Sequence, residues 1–243
     1  MSPVSSGTPC IVPAEFNLKG NCNGSHPRLN EPKQTRRRLV FPRLHVYIVY
    51  MKIVPTAEKI AAATRHLLAT EGPEAVSMRR VANAVGITPM AIYRHYPNRQ
   101  ALLDAVADNG FEELTAVLKR RRFSGDLATR FVKMADVYLD YALENPRLFE
   151  LMFLAKRERA RRFPQDFKAG HSPTASLMAA LVKEGMESGH FRHDDPWEIV
   201  FEAGALLQGL IMLYLGGRID MTPAGFRALY RRSTRRYFHG LRS

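Results

Sequence analysis

From Thr56 onward, apolar residues return every three or four positions, the spacing that lines one face of an α-helix. Ile60, Ala63, Leu67 and Leu68 form the first stripe, and Gly72-Pro73 ends it. A short second helix is predicted over Met78–Val85, with Ser77 as a good N-cap and Gly86 as a stop. Thr88 caps a third, with Pro89 at the first helical position, where a missing N–H does no harm. Pro97-Asn98 separates it from a long helix beginning near Arg99, with Leu102, Leu103, Val106 and Phe111 facing inward. After Ser124-Gly125-Asp126 the period predicts helices at about 126–144, 147–155, 172–188, 195–216 and 223–238. Asn145-Pro146, the stretches 164–172 and 189–195, and Gly216-Gly217 supply the breaks. Strand signals are scarce and no repeat is found. The pattern predicts an all-α protein: an N-terminal three-helix head of helix-turn-helix type, then a larger helical body.

Charge adds a partner class. The net charge of +13 favours a polyanion, either nucleic acid or an anionic membrane surface. Residues 1–105 hold 14 Lys/Arg against six Asp/Glu, whereas the longer remainder holds 22 against 17, so the basic excess is concentrated towards the head. Both cysteines, Cys10 and Cys22, precede the helices, which fits a reducing cytoplasm and leaves no disulfide framework or Cys-based metal site in the helical part. No nucleophile elbow, phosphate loop or metal-ligand spacing stands out, so neither an enzyme nor a cofactor is expected. His190-x-x-His193-Asp194-Asp195 falls between helices and reads as a turn and helix N-terminus rather than a metal cluster.

Residues 1–35 are rich in Pro, Gly, Ser and Asn without a sustained period, so disorder is expected there. Arg36-Arg37-Arg38 then precedes an apolar run to Val54 that Pro42, Arg43 and His45 interrupt, so neither a membrane span nor an export signal is expected. Two readings stay open: a basic arm that touches a nucleic-acid backbone, or a segment outside the working protein, with translation starting at Met51. The domain reading is 1–50 as a disordered or non-native basic extension, 51–105 as the head and 106–243 as the body.

Within the head, Val81, Ala82, Val85, Ile87 and Ile92 are spaced to pack the second and third helices together, with Ala82 small where they cross. Arg79, Pro89, Met90, Ala91, Tyr93, Arg94 and His95 are left to face outward. Three short helices with a Gly between the second and third describe a helix-turn-helix, whose last helix enters the DNA major groove. The stretch SMRRVANAVGITPMAIYRHYPNRQALLDAV, residues 77–106, resembles the DNA-binding domain of the TetR family of bacterial transcriptional regulators: a capped second helix, Ala, Gly-Ile, Tyr-x-His-Tyr, a basic residue and Leu-Leu.

The resemblance implies that Tyr93 and His95 touch the DNA backbone. It implies too that Arg99 and its helix N-terminus meet a phosphate, and that Ser77 with its free N–H groups does the same at the second helix. Arg79 matches a position that reaches a base, where arginine can pair bidentately with guanine. Thr88, Pro89, Met90 and Ala91 lie where base edges or thymine methyls are read. On the residues alone, Tyr93 also reads as a packing residue, His95 as a cation capping a helix C-terminus, and Arg94 as a solvated charge. Arg120-Arg121-Arg122, well down the fourth helix, reads as a solvated or salt-bridging face.

YLDYALENPRLFELMF (138–153) and GHFRHDDPWEIVFEAGALLQGLIMLYLGG (189–217) are similar to one C-terminal subfamily marked by Trp-His-Gly, with Leu207-Gln208-Gly209 at the corresponding place. This implies a body that binds a small effector and dimerises through two helices, here 172–188 and 195–216. The second is apolar around much of its circumference (Ile199, Val200, Phe201, Ala203, Ala205, Leu206, Leu210, Ile211, Leu213), more than one core face requires. Met134, Tyr138, Phe149, Met152, Phe153, Met178 and Leu206 are the pocket candidates, because Met and aromatics suit adaptable apolar pockets; each also reads as ordinary core. The resulting expectation is a cytoplasmic, homodimeric repressor that binds a palindromic double-stranded DNA operator and is released by an unidentified small-molecule effector, with no cofactor and no membrane. The alternative is a helix-turn-helix protein without effector, acting architecturally or through a protein partner.

Overall fold

Local rules place most helix ends. In the computed structural model, which describes residues 56–242, α1 covers Thr56–Glu71, α2 Met78–Val85, α3 Pro89–Tyr93 and α4 Arg99–Arg120. The body continues with α5 Leu127–Glu144, α6 Pro146–Phe153, α7 Gln165–Lys168, α8 Pro173–Glu187, α9 Pro196–Leu215 and α10 Pro223–His239. Proline opens α3, α6, α8, α9 and α10, where its fixed φ suits a first helical turn. Side-chain oxygens of Asn98, Asp126 and Thr222 accept the amides of Ala101, Thr129 and Gly225 at 2.8, 2.9 and 3.1 Å, closing the starts of α4, α5 and α10. The described residues form no strand; an isolated bridge joins Phe191 to Arg242. The all-α expectation holds.

Two helical elements lie outside the predicted positions. A 3-10 turn, Pro73–Ala75, follows α1, and α7 occupies the stretch read as a break. Neither is long enough to show an apolar period. The readings made of residues 1–50, of Cys10 and Cys22, and of Met51 lie outside the described residues.

One apolar core runs from the head into the body. Ile60, Leu68, Val81, Ala82 and Ile92 continue through Leu102 and Val106 to Leu114, Leu148, Phe149, Phe226 and Tyr230. A second core gathers Phe131, Met134, Val182, Ile199, Ala203 and Phe238, with the rings of Phe131 and Phe238 stacked at 3.5 Å. Polar ties join head to body. Arg147 of α6 donates to the carbonyl of Ala69 near the end of α1 at 3.0 Å. Arg65 of α1 pairs with Glu113 of α4 and donates to Asn145 Oδ1 at 3.0 Å. Gly110 permits the close crossing of α4 and α6: a Cβ there would lie 2.6 Å from Met152 Sδ.

Helix α9 is long and apolar enough to cross a membrane by length and composition. Asp195 caps it, accepting from the Trp197 amide at 2.9 Å, and it packs against α8, α10 and α5. Ile199, Val200, Ala203, Leu207 and Ile211 share its buried face. Leu206 and Leu213 remain 37% and 45% exposed away from it, so part of the apolar surplus read from the sequence is uncovered, whereas Phe201, 44% exposed, stacks on Phe163 at 4.3 Å.

Candidate nucleic-acid interface and interior aromatic cluster

The head is built so that its caps are internally closed while its outer face is free. Ser77 Oγ accepts from the Arg80 amide at 3.2 Å, starting α2, and Gly86 ends it at φ 74°, the left-handed conformation that costs glycine no Cβ clash. The Ile87 amide then reaches back to the Ala82 carbonyl at 3.0 Å, fixing the turn into α3. Thr88 Oγ1 accepts from the Ala91 amide at 3.3 Å. Ile92 of α3 is fully buried between α2 and α4, which holds the short helix in place. The Tyr96 hydroxyl donates to the Ala57 carbonyl at 3.3 Å, tying the end of that turn to α1, and burial raises the Tyr96 pKa.

Around that scaffold stand the predicted DNA-facing side chains. Met90 is 70% exposed and Tyr93 48%. Arg79, Thr88, Pro89, Arg94 and His95 are also exposed, and Ala91 and Ser77 are half-buried. Packing thus does not occupy the Tyr93 ring. Arg80, which neighbours Arg79, is engaged with both carboxylate oxygens of Glu71 at 2.7 and 2.8 Å, so the two arginines of α2 differ in role.

Arg99 departs from the expected pattern. Its Nε donates to the Val76 carbonyl at 2.7 Å and its Nη2 to the Pro73 carbonyl at 2.5 Å. The guanidinium therefore braces the link between α1 and α2, and a phosphate would have to be met by its remaining N–H groups and the helix N-terminus.

The seven pocket candidates do not form one group. Tyr138, Phe149 and Phe153 do: their ring centroids lie 5.3 Å (138–149), 5.8 Å (138–153) and 4.6 Å (149–153) apart, and Met152 sits in the same core. Met134 and Met178 instead pack in the second core. Leu206 is a correction. It faces outward on α9, one position from buried Leu207, because adjacent helical residues point about 100° apart.

Three residues outside the predicted set complete the cluster. Phe111 of α4 meets Phe153 edge-on at 5.1 Å. Arg157, in the connection after α6, is buried; its Nη1 pairs with Asp108 at 2.9 Å and donates to the Asp104 carbonyl at 3.3 Å, while its Nε has no hydrogen-bond partner among the described residues. Tyr230 of α10 is fully buried and its hydroxyl also has no hydrogen-bond partner among the described residues. Burial raises the Tyr230 pKa well above its usual value, and neighbouring Tyr138 and Asp136 push in the same direction. An apolar stripe Phe226, Tyr230, Phe238 marks Tyr230 as core in the sequence, but burial of one arginine within the basic run 156–162 leaves no such mark.

Elsewhere, Ser188 Oγ and His190 Nδ1 lie 2.9 Å apart in the turn between α8 and α9. The triplet Arg120-Arg121-Arg122 is exposed at the end of α4.

Comparison with known proteins adds the following. The family model described as "Bacterial regulatory proteins, tetR family" matches residues 60–106, and "Tetracyclin repressor-like, C-terminal domain" matches residues 131–237. Among curated proteins, the nucleoid occlusion factor SlmA of Pasteurella multocida is 28% identical over 97 residues, 39% of this chain and 49% of that protein. The chain thus spans about half the length of that relative. A protein of unknown function from Rhodococcus sp. RHA1 is 28% identical with a TM-score of 0.66, over 78% of this chain and 97% of that one. A tetR-type transcription regulator from Shewanella sp. PV-4 shares the fold at 15% identity, TM-score 0.60, over 78% of this chain and all of that one.

Proposed function

The chain belongs to the tetR family of bacterial regulatory proteins, and from that premise we propose that it is a repressor that binds a palindromic operator as a homodimer and is released by a small effector. The observation that carries the DNA reading is the head's outer face. Arg79, Met90, Tyr93, Arg94 and His95 are exposed on a scaffold whose caps are already satisfied, so their donors and rings are available to a duplex. Arg79 is the candidate for a guanine, Met90 and Ala91 for apolar contact with thymine methyls, and Tyr93 and His95 for the backbone.

Dimerisation through α8 and α9 is supported by the uncovered leucines of α9, Leu206 and Leu213. A four-helix bundle formed with a second copy would cover them and set the spacing of the two heads, which must sit about 34–36 Å apart to enter successive major grooves. An effector seated between α4, α5 and α6 would bear on that spacing, because α4 runs from the aromatic cluster to the head and α6 holds the end of α1 through Arg147. Kinship with the Trp-His-Gly branch, resting on residues 138–153 and 189–217, belongs to the same reading; Leu207 replaces the aromatic of that triplet and is buried.

Fluorescence anisotropy with DNA flanking the gene tests this. Arg79→Ala and Tyr93→Ala are expected to weaken binding at least about tenfold each, in line with the 1–3 kcal/mol of a lost base or backbone contact, while circular dichroism and sedimentation show an intact folded dimer. Unchanged affinity in both variants overturns the interface.

A further inference from the structure

Three features of the interior converge on one ligand chemistry. The first is Arg157. Its side chain is 3% exposed, yet only the Nη1 edge is engaged, and the buried Nε is left without an acceptor. A buried guanidinium N–H without a partner is costly, and the cost disappears when a carboxylate accepts from the Nε edge, the side-on geometry that suits Arg–carboxylate pairs.

The second is Arg161. It is half-buried, with its guanidinium carbon 4.9 Å from the centroid of Phe111; that of Arg157 lies 5.6 Å from the same ring. Two cations therefore share one aromatic ring. Asp108 is the one carboxylate among the described residues that pairs with either, and Asp104 alongside accepts instead from the Gln100 amide at 2.9 Å. No carboxylate among the described residues pairs with Arg161, and an anion placed there lowers the repulsion between the two guanidiniums.

The third is what lies beyond that ring. Phe111 leads to Phe153 at 5.1 Å, and Phe153 to Tyr138 at 5.8 Å and Phe149 at 4.6 Å; the buried, unpartnered hydroxyl of Tyr230 lies next to Tyr138. This wall is apolar and continuous, and it begins at the two arginines. Resting on the reading of the body as an effector domain, we propose that the effector is an apolar molecule bearing a single carboxylate, its anion held by Arg157 and Arg161 and its body lying along Phe111, Phe153, Phe149 and Tyr138. A neutral apolar molecule fits the wall but leaves Arg161 unmatched. A phosphate brings nothing to cover the rings.

Isothermal titration of the full chain with decanoate and 4-phenylbutanoate, each against its matched alcohol, tests the assignment. The acids are expected to bind at least about tenfold more tightly than the alcohols, the scale of a charge-assisted hydrogen bond. Arg161→Ala should erase that preference while leaving alcohol affinity within about twofold; this half-buried position avoids the folding risk of altering Arg157. Arg120→Ala, at an exposed arginine outside the cluster, serves as the control and should keep the preference. Equal binding of acid and alcohol, no binding of either acid, or an undiminished preference in Arg161→Ala each overturns the proposal. Binding of flanking DNA by the ligand-free protein is measured alongside. DNA binding without acid preference removes the effector class alone, whereas acid binding without DNA binding removes the regulator reading and leaves the carboxylate site standing.

Discussion

In the head, Arg79, Tyr93, Arg94 and His95 stand in solvent while the cap oxygens of Ser77 and Thr88 are matched to backbone amides. In the body the arrangement is reversed: Arg157 Nε and the Tyr230 hydroxyl are buried without partners, while Phe201, Leu206 and Leu213 are exposed. The head's free groups sit comfortably in water, so they cost the isolated fold little and remain available to a hydrated, charged partner such as DNA. The body's free groups are each in the wrong medium for their chemistry. In the proposed reading a second copy covers the apolar surface and a ligand meets the buried polar atoms.

The largest effect should come from cutting the part of the body that the head does not share. Phe131 is fully buried in the second core, stacked on Phe238, with no head residue in that core. Phe131→Ala is expected to cost about 3–5 kcal/mol in chemical denaturation, while the fraction that remains folded keeps its DNA affinity. If DNA affinity of the folded fraction falls as well, the two regions are less separable than their cores suggest.

Next comes the outer face of α9. Leu206→Glu places a charge where the monomer already exposes a side chain, so the unfolding transition of the monomer should barely move. The dimer, by contrast, would have to bury that charge, and its dissociation constant should rise on the order of a hundredfold by sedimentation equilibrium, the scale of a lost hot spot. An unaltered dimer shows that the exposed leucines are covered by something other than a second copy.

The head was more legible in the sequence than the body, for a physical reason. Ser77, Gly86, Thr88 and Pro89 act through neighbours three or four positions away, so the spacing of a few residues fixes α2, the turn and α3. Exposure of Met90 and Tyr93 followed once Ile92 was placed inward. In the body, the caps and prolines were equally readable, yet the grouping of side chains depends on contacts between distant segments. Tyr138, Phe149, Met152 and Phe153 converge, whereas Met134 shares a helix with Tyr138 and still packs in the other core. Four-residue α7 is too short for any period, and nothing local distinguishes Arg157 from the exposed arginines beside it.

Arg99 is the exception that sharpens the comparison, because among the cations expected to face DNA it is the one whose donors are engaged by the fold. Its Nε and Nη2 reach two separate carbonyls, Val76 and Pro73, a fork that an ammonium group cannot reproduce. Arg99→Lys keeps the positive charge at the start of α4, so a purely electrostatic contact with phosphate would survive it. Loss of the fork leaves the link between α1 and α2 held by fewer bonds. The expected result is a loss of about 1 kcal/mol in stability, the usual net value of a hydrogen bond or two, with DNA affinity falling by no more than about fivefold because α2 shifts rather than because charge is lost. The two roles separate by salt in Arg99→Gln, which removes the charge: if Arg99 acts through the fold, the slope of log affinity against log salt concentration stays that of the parent, since the number of neutralised phosphates has not changed. A shallower slope in Arg99→Gln, with stability unchanged in Arg99→Lys, would instead make Arg99 a phosphate contact, and Arg80, paired with Glu71, would be left as the cation that serves the architecture of this corner.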